Sequence, residues 1–183
     1  MAKRKDVTKG QIVEAAGALL ELRGFHGFST RDLADEVGIS SASLHHHFAT
    51  KDALAAAVVA RHRERVNTRL AEIAREVEGF AARQVHFHTA LERDAGLLAM
   101  LAASFPTLPL LAQGEARQLF TNVQGWLTRF ATQARSDGEL PSDTTIERIA
   151  GEILSSLLGR ALLVRMELPI SSSMPPSTWA WQS

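Results

Sequence analysis

Cysteine is absent from the 183 residues, which excludes disulfides and thiolate metal sites and fits a reducing compartment. No apolar run approaches the ~18 residues of a membrane span. The opening MAKRKDVTKG is basic with no apolar segment behind it, so it does not read as a secretory signal. These absences make a cytoplasmic protein the expectation. No stretch alternates apolar and polar residues over a useful length, and no repeat is present, which leaves an all-α chain. Paired carboxylates, a Ser/His/Asp set and a phosphate-binding glycine loop are missing as well, which argues against an enzyme. The formal net charge is zero, and taken alone that argues against a nucleic-acid partner.

Charge counts by its distribution rather than its sum. Residues 1–10 hold Lys3, Arg4, Lys5 and Lys9 against Asp6 alone, a net of +3. Such an arm solubilises a terminus or, ahead of a DNA-binding motif, touches phosphates or the minor groove. A content of 45% hydrophobic and 22% charged residues suits a chain that buries a real core. Its length allows one ordinary domain, or a small domain and a larger one.

Apolar residues recur at helical spacing. Ile12, Ala16, Leu19 and Leu20, with Val13 and Leu22 beside them, predict a helix from Thr8 to Leu22. Arg23 and Gly24 close it, the glycine suiting a left-handed C-terminal position. Leu54, Val58, Val59, His62, Val66, Leu70, Ile73 and Val77 predict a long helix at about 51–78, capped by Thr50 and favoured by Asp52. It would span about 40 Å at ~1.5 Å per residue. Further helices are expected near Phe80–Glu92, Ala95–Ser104, Gly114–Arg135 and Thr144–Met166, with breaks at Phe105 to Pro109 and Asp137 to Ser142. The tail ISSSMPPSTWAWQS reads as irregular, although Trp179 and Trp181 are costly to leave in water.

Ser29 to Phe48, STRDLADEVGISSASLHHHF, reads as two short helices around a glycine turn. Ala34 is small enough for the helices to cross closely, Gly38 takes the turn, and Leu44 locks the second helix onto the first. Ser29 with Asp32 resembles a capping box built with the shorter acid. Phe25 and Phe28 are expected to fill the centre of a three-helix unit. Such a helix-turn-helix pushes its second helix into a DNA major groove. The reading is an all-α, DNA-binding regulator: a three-helix head at residues 1–55 and a helical body at 56–183, joined through the long helix.

At this density of matching positions the chain resembles a known family. Ala15-Ala16, Leu19, Gly24-Phe25, Ser29, Arg31-Asp32-Leu33-Ala34, Gly38-Ile39-Ser40, Leu44, His47-Phe48, Lys51 and Leu54 resemble the TetR/AcrR family of bacterial transcriptional regulators. The resemblance runs gap-free from Ile12 to Leu54. Two positions depart from it: Ala42 stands where the family often has glycine, and His45 where it usually has tyrosine.

By helical spacing the recognition helix spans about Ser41–His47, with Ser40 as its cap. Leu44 and Phe48 turn inward, which leaves Ser41, Ala42, His45 and His46, with Ser43 beside them, for DNA. Ser41, the Ala42 methyl and His45 are expected to meet base edges. Lys51, at a helix N-terminus, is expected to meet a phosphate, and Ser29, Thr30 and Arg31 to hold the neighbouring backbone. Three successive histidines on a helix point about 100° apart, so they do not chelate one metal together. No cofactor or metal is expected. A nearby phosphate would favour the protonated form of His45 or His46, so that DNA binding tightens on acidification.

The resemblance implies that the body holds a small-molecule pocket and a dimer interface made from the last two long helices. Leu119, Val123, Trp126, Leu127 and Phe130 form an apolar stripe on one of them. Ile146, Ile149, Ile153, Leu157, Ala161 and Val164 form one on the other, with Gly151, Ser155, Ser156 and Gly159 small enough for close approach. Two such helices from each subunit would give a twofold homodimer on a pseudo-palindromic double-stranded DNA operator. Pocket candidates are Phe87, Leu91, Leu98, Met100, Leu101, Phe105, Trp126 and Phe130, which point to a hydrophobic small-molecule effector. His86 and His88 are splayed on their helix by about 200°, a poor metal pair, and are expected in the core or lining the pocket with His62. The expected function is a ligand-responsive repressor released by that effector. Two alternatives stand beside it: an effector-independent DNA-binding or architectural protein of the same fold, and an α-helical enzyme, which would need a metal at His86 and His88.

Overall fold

Thr8 starts the first helix by reciprocal capping: its Oγ1 accepts from Gln11 N–H at 3.3 Å, while its own N–H donates to Gln11 Oε1 at 2.8 Å. In the computed structural model, which describes residues 7–168, the regular elements are all helical. They are α1 (Lys9–Arg23), α2 (Thr30–Val37), α3 (Ser41–His47), α4 (Lys51–Glu76), α5 (Phe80–Ala103), α6 (Leu110–Ser136) and α7 (Ile146–Arg165). Short 3-10 turns at Phe25–Gly27 and Phe105–Thr107 join α1 to α2 and α5 to α6. The arm residues Lys3, Arg4 and Lys5, and Trp179 and Trp181 of the tail, lie outside the described residues. Among the described residues, no helix is long and apolar enough to cross a membrane.

One expected break is absent. The segments expected at Phe80–Glu92 and Ala95–Ser104 form the single helix α5. The pair Arg93-Asp94, between the two expected segments, lies inside it. Asp94 is 1% exposed and accepts from Arg65 Nε at 2.8 Å, with Arg69 on its other oxygen. A charge in the middle of an apolar helix is tolerated when partners on a neighbouring helix compensate its lost hydration. The next helix also starts earlier than Gly114, at Leu110, directly after Pro109.

The chain divides into two compact units, Met1–Glu64 with Met100–Leu119, and Arg65–Ala99 with Phe120–Ser183. The expected division after residue 55 lies inside α4, whereas the compact units part at Glu64. In the first unit α1 buries Ile12, Val13, Ala16, Leu19 and Leu20, α2 buries Leu33 and Ala34, and α3 buries Leu44. Phe28 is buried, and Phe25 is half-buried at the edge of the group. Segment Met100–Leu119 belongs here too: His26 Nε2 donates to the Thr107 carbonyl at 3.3 Å, and Arg63 Nε pairs with Glu115 at 2.9 Å.

In the second unit four aromatic rings stack in sequence. Phe80 lies 4.9 Å from Phe130, Phe130 5.3 Å from Trp126, and Trp126 5.8 Å from Phe87, centroid to centroid. Leu119, Val123, Trp126, Leu127 and Phe130, expected as an intersubunit stripe, are all buried within the chain, as are Ile146, Ile149, Ile153 and Leu157. Each helix commits its most apolar stripe to its own core. What α7 leaves outside is Leu162, Leu163 and Val164, with Met166 and Leu168 just beyond.

Candidate nucleic-acid interface and a cleft in the second unit

Local hydrogen bonds shape the α2–α3 motif. Ser29 Oγ accepts from Asp32 N–H at 3.1 Å and Ser29 N–H donates to Asp32 Oδ2 at 2.7 Å, so the expected capping box forms with the shorter acid. The backbone N–H and then the hydroxyl of Ser29 hold the Asp32 carboxyl below its usual 3.8. At the other end of α2, Gly38 adopts φ 74° and ψ 38°. Its N–H reaches Asp35 O at 3.2 Å, and Ile39 N–H reaches Ala34 O at 3.0 Å. This pair of bonds requires a left-handed residue at Gly38 and turns the chain sharply into α3. Ser40 then caps α3, its Oγ accepting from Ser43 N–H at 3.1 Å.

Helical phase sorts the side chains of α3. Leu44 is 1% exposed and Phe48, just past the helix, 7%. Lys9 lies 5.1 Å from the centre of the Phe48 ring. Ser40, Ser41, Ala42, His45 and His46 are exposed, whereas Ser43 and His47 are half-buried. On α2, Ser29 and Arg31 are exposed and Thr30 half-buried. The outward face of α3 therefore offers a hydroxyl, a methyl and two imidazoles, and Arg31 stands exposed on α2. These groups can donate to, or pack against, the edges of base pairs.

Lys51 stands apart from this face. Its ammonium donates to the carbonyls of Phe25 and Phe28 and lies 4.5 Å and 4.4 Å from the centres of their rings. Burial lowers its pKa below the usual 10.5, opposed by the charges of Asp32 and Asp52. Meeting a phosphate would mean leaving two carbonyls and two ring faces. In this geometry Lys51 ties the α1–α2 connection to the start of α4.

The second unit holds an open cleft of about 770 Å³. Asn67, Leu70, Ala71 and Ala74 of α4, Arg83 of α5, and a face of α6 from Thr121 to Gln133 line it. Of the eight expected pocket residues, Trp126 and Phe130 border it. Phe87, Leu91, Leu98, Met100 and Leu101 are buried core, and Phe105 lies in the first unit with the Arg117 guanidinium 5.2 Å from its ring. The most apolar positions go to the core, which leaves the cleft to positions with mixed neighbours. Asn67, Asn122, Arg83, Arg129 and Gln133 were not anticipated. No spacing rule relates Asn67 to Asn122, whose side chains meet at 3.2 Å from 55 residues apart.

The histidines of α5 differ in surroundings. His86 Nδ1 donates to its own helix, at Ala82 O, 2.9 Å away. Both ring nitrogens of His88 are buried and have no hydrogen-bond partner among the described residues. Desolvation, then the charge of Arg160, lowers the His88 pKa from 6.5 to about 4, so its ring is neutral near pH 7.

Comparison with known proteins finds similarity in the motif and in the fold. Residues 12–58 match the family model of bacterial regulatory proteins of the tetR family. The HTH-type transcriptional repressor KstR2 of Mycobacterium tuberculosis is 46% identical over 44 residues, 24% of this chain and only 22% of that protein's length. The HTH-type transcriptional regulator UidR of Escherichia coli is 26% identical over 163 residues, covering 85% of this chain and 76% of its own. The solved structure of a TetR-family transcriptional regulator from Agrobacterium tumefaciens is similar in fold with a TM-score of 0.81, at 26% identity over 88% of each chain.

Proposed function

We propose that this chain is a DNA-binding transcriptional regulator of the tetR type and not an enzyme, and more closely a ligand-responsive repressor that acts in the cytoplasm as a homodimer. The observation that carries this reading is the outward face of α3, where Ser41, Ala42, His45 and His46 stand exposed around a buried Leu44. We assign base reading to Ser41, Ala42 and His45. Ser40, Ser43 and His46 flank them, and Ser29, Thr30 and Arg31 face the backbone. Residues 1–55 carry DNA binding in this reading, and 56–183 carry effector binding and dimerisation.

The sign of regulation is supported by KstR2, a transcriptional repressor. The dimer is supported by the apolar residues that α7 leaves outside, and by Gly151 and Gly159, where an added Cβ would meet nothing within 4 Å. The effector site is the cleft. Asn67, Leu70, Ala71 and Ala74 belong to the same continuous helix that begins at Lys51 beside the motif. A compound that binds one position of α4 better than another shifts the spacing of the two recognition helices, and only that differential affinity does so.

Selection of bound sequences from random DNA tests the DNA half, with sites of dyad symmetry as the expected result. Sites without dyad symmetry would overturn the homodimer. Transcription from a promoter carrying the selected site should fall when the protein is present. Compounds that release the protein from DNA should lose that effect in Ala71→Trp, which fills the cleft. A variant released as readily as the wild type would show that the cleft is not the effector site.

A further inference from the structure

The cleft differs from the rest of the second unit in its charge. Four other arginines of that unit meet acids: Arg65 and Arg69 pair with Asp94, Arg75 with Glu76, and Arg148 with Glu152. Arg83 and Arg129 both line the cleft, and among the described residues no carboxylate lies within 4 Å of either guanidinium. Two acids that follow Arg129 in the chain already have partners. Glu139 accepts from Phe80 N–H at 2.6 Å, and Asp137 accepts from Gln133 at 2.8 Å.

Arg83 is also held in place. Its Nε donates to Val77 O at 2.6 Å, which orients the guanidinium plane, and its Cζ lies 5.9 Å from the centre of the Phe130 ring. Arg129 reaches back along α6 past Gly125, where even a Cβ would come within 3.4 Å of its Nη1. Between them the cleft has an apolar floor, the edges of Trp126 and Phe130 with Leu70.

We infer that the effector is an amphipathic organic anion, a carboxylate on an aromatic or acyl body, with its head on Arg83 and Arg129 and its apolar part on Trp126 and Phe130. This rests on the cleft being the effector site and changes the chemistry expected there, since the apolar sequence pattern alone pointed to a plain hydrophobic compound. A guanidinium binds carboxylates through paired N–H donors. A hydrophobic surface beside it selects anions with a body over small ions such as acetate.

The test compares acids with their uncharged amides on the full-length protein without DNA. Octanoate and 2-naphthoate are titrated against octanamide and 2-naphthamide, followed by Trp126-sensitive fluorescence and calorimetry, with Trp179 and Trp181 replaced by Phe to isolate the signal. Each acid should bind at least about tenfold more tightly than its amide, the strength of a charge-assisted contact. Arg129→Gln should erase that preference without affecting the amides, and Arg129→Lys should restore part of it. Arg129 is exposed, so its replacement leaves the fold intact. Amides that bind as well as acids overturn the anion assignment and leave the cleft as effector site. An acid preference that depends on Arg129 supports the anion chemistry of the cleft. If the same acids then fail to release the protein from its selected DNA site in a parallel assay, the cleft binds anions but the ligand-responsive reading is overturned. Absence of binding by all four probes overturns the assignment.

Discussion

Lys51 shows at the level of one residue how position and role separate. At a helix N-terminus beside a DNA-binding motif, a lysine invites a phosphate. Here the ammonium instead satisfies the carbonyls of Phe25 and Phe28 and faces both rings. Lys51→Ala should therefore cost about 1–2 kcal/mol of stability in chemical denaturation. It should weaken DNA binding evenly across sequences and leave the salt dependence of binding unchanged. A smaller salt slope would return Lys51 to the phosphate contacts. Asp94 predicts a larger loss: Asp94→Ala leaves Arg65 and Arg69 without their buried counter-charge and should cost about 3 kcal/mol. His88 sets a pH dependence. Its folded pKa, about 4, lies below the ordinary 6.5, so the unfolded chain takes up the proton first as pH falls. Stability should drop between about pH 6.5 and 4, and His88→Leu should flatten that part of the melting-temperature profile.

At the scale of elements, the α2–α3 motif was readable because its determinants are local. Gly38 must take a left-handed conformation, and Ser29 and Ser40 cap helices within three residues of themselves. Gly38→Ala should cost about 1–2 kcal/mol and loosen α3, measurable as faster amide exchange at Leu44 and His45 with weaker DNA binding. Ser41→Ala and His45→Ala leave the buried face of α3 intact, so they should change which sequences are selected more than overall affinity. Equal loss on every sequence would remove both from base reading. The single helix α5 was hidden for the opposite reason. Arg93-Asp94 stands between the two expected segments, and Arg65 and Arg69, more than 20 residues earlier, neutralise Asp94 inside the helix. The cleft was hidden in the same way, by pairs such as Asn67 and Asn122 that only packing brings together.

For the whole molecule, the apolar stripes of α6 and of α7 from Ile146 to Leu157 do not announce a partner, because the chain buries them itself. The exposed remainder of α7 gives a sharper test of the proposed dimer. Leu163→Arg places a charge on the apolar end of that helix and should shift the protein to monomer in sedimentation. Affinity for a two-half-site operator should fall much further than affinity for one half-site. A variant that stays dimeric would move the interface elsewhere.

The helical periods, the caps and the Ser29–Phe48 motif were written in the order of residues, since each depends on neighbours three or four positions away. They determined the all-α class, the motif and its resemblance to a regulatory family. Which charges are paired and which stand free is not written there. Asp94 of α5 and Arg129 of α6 are both charges on helices that bury apolar stripes, yet one is buried against two guanidiniums and the other lines an open cleft. Burial and ion pairing depend on contacts between residues far apart in the chain, so only the tertiary structure decided that Lys51 turns inward and that the cleft is cationic.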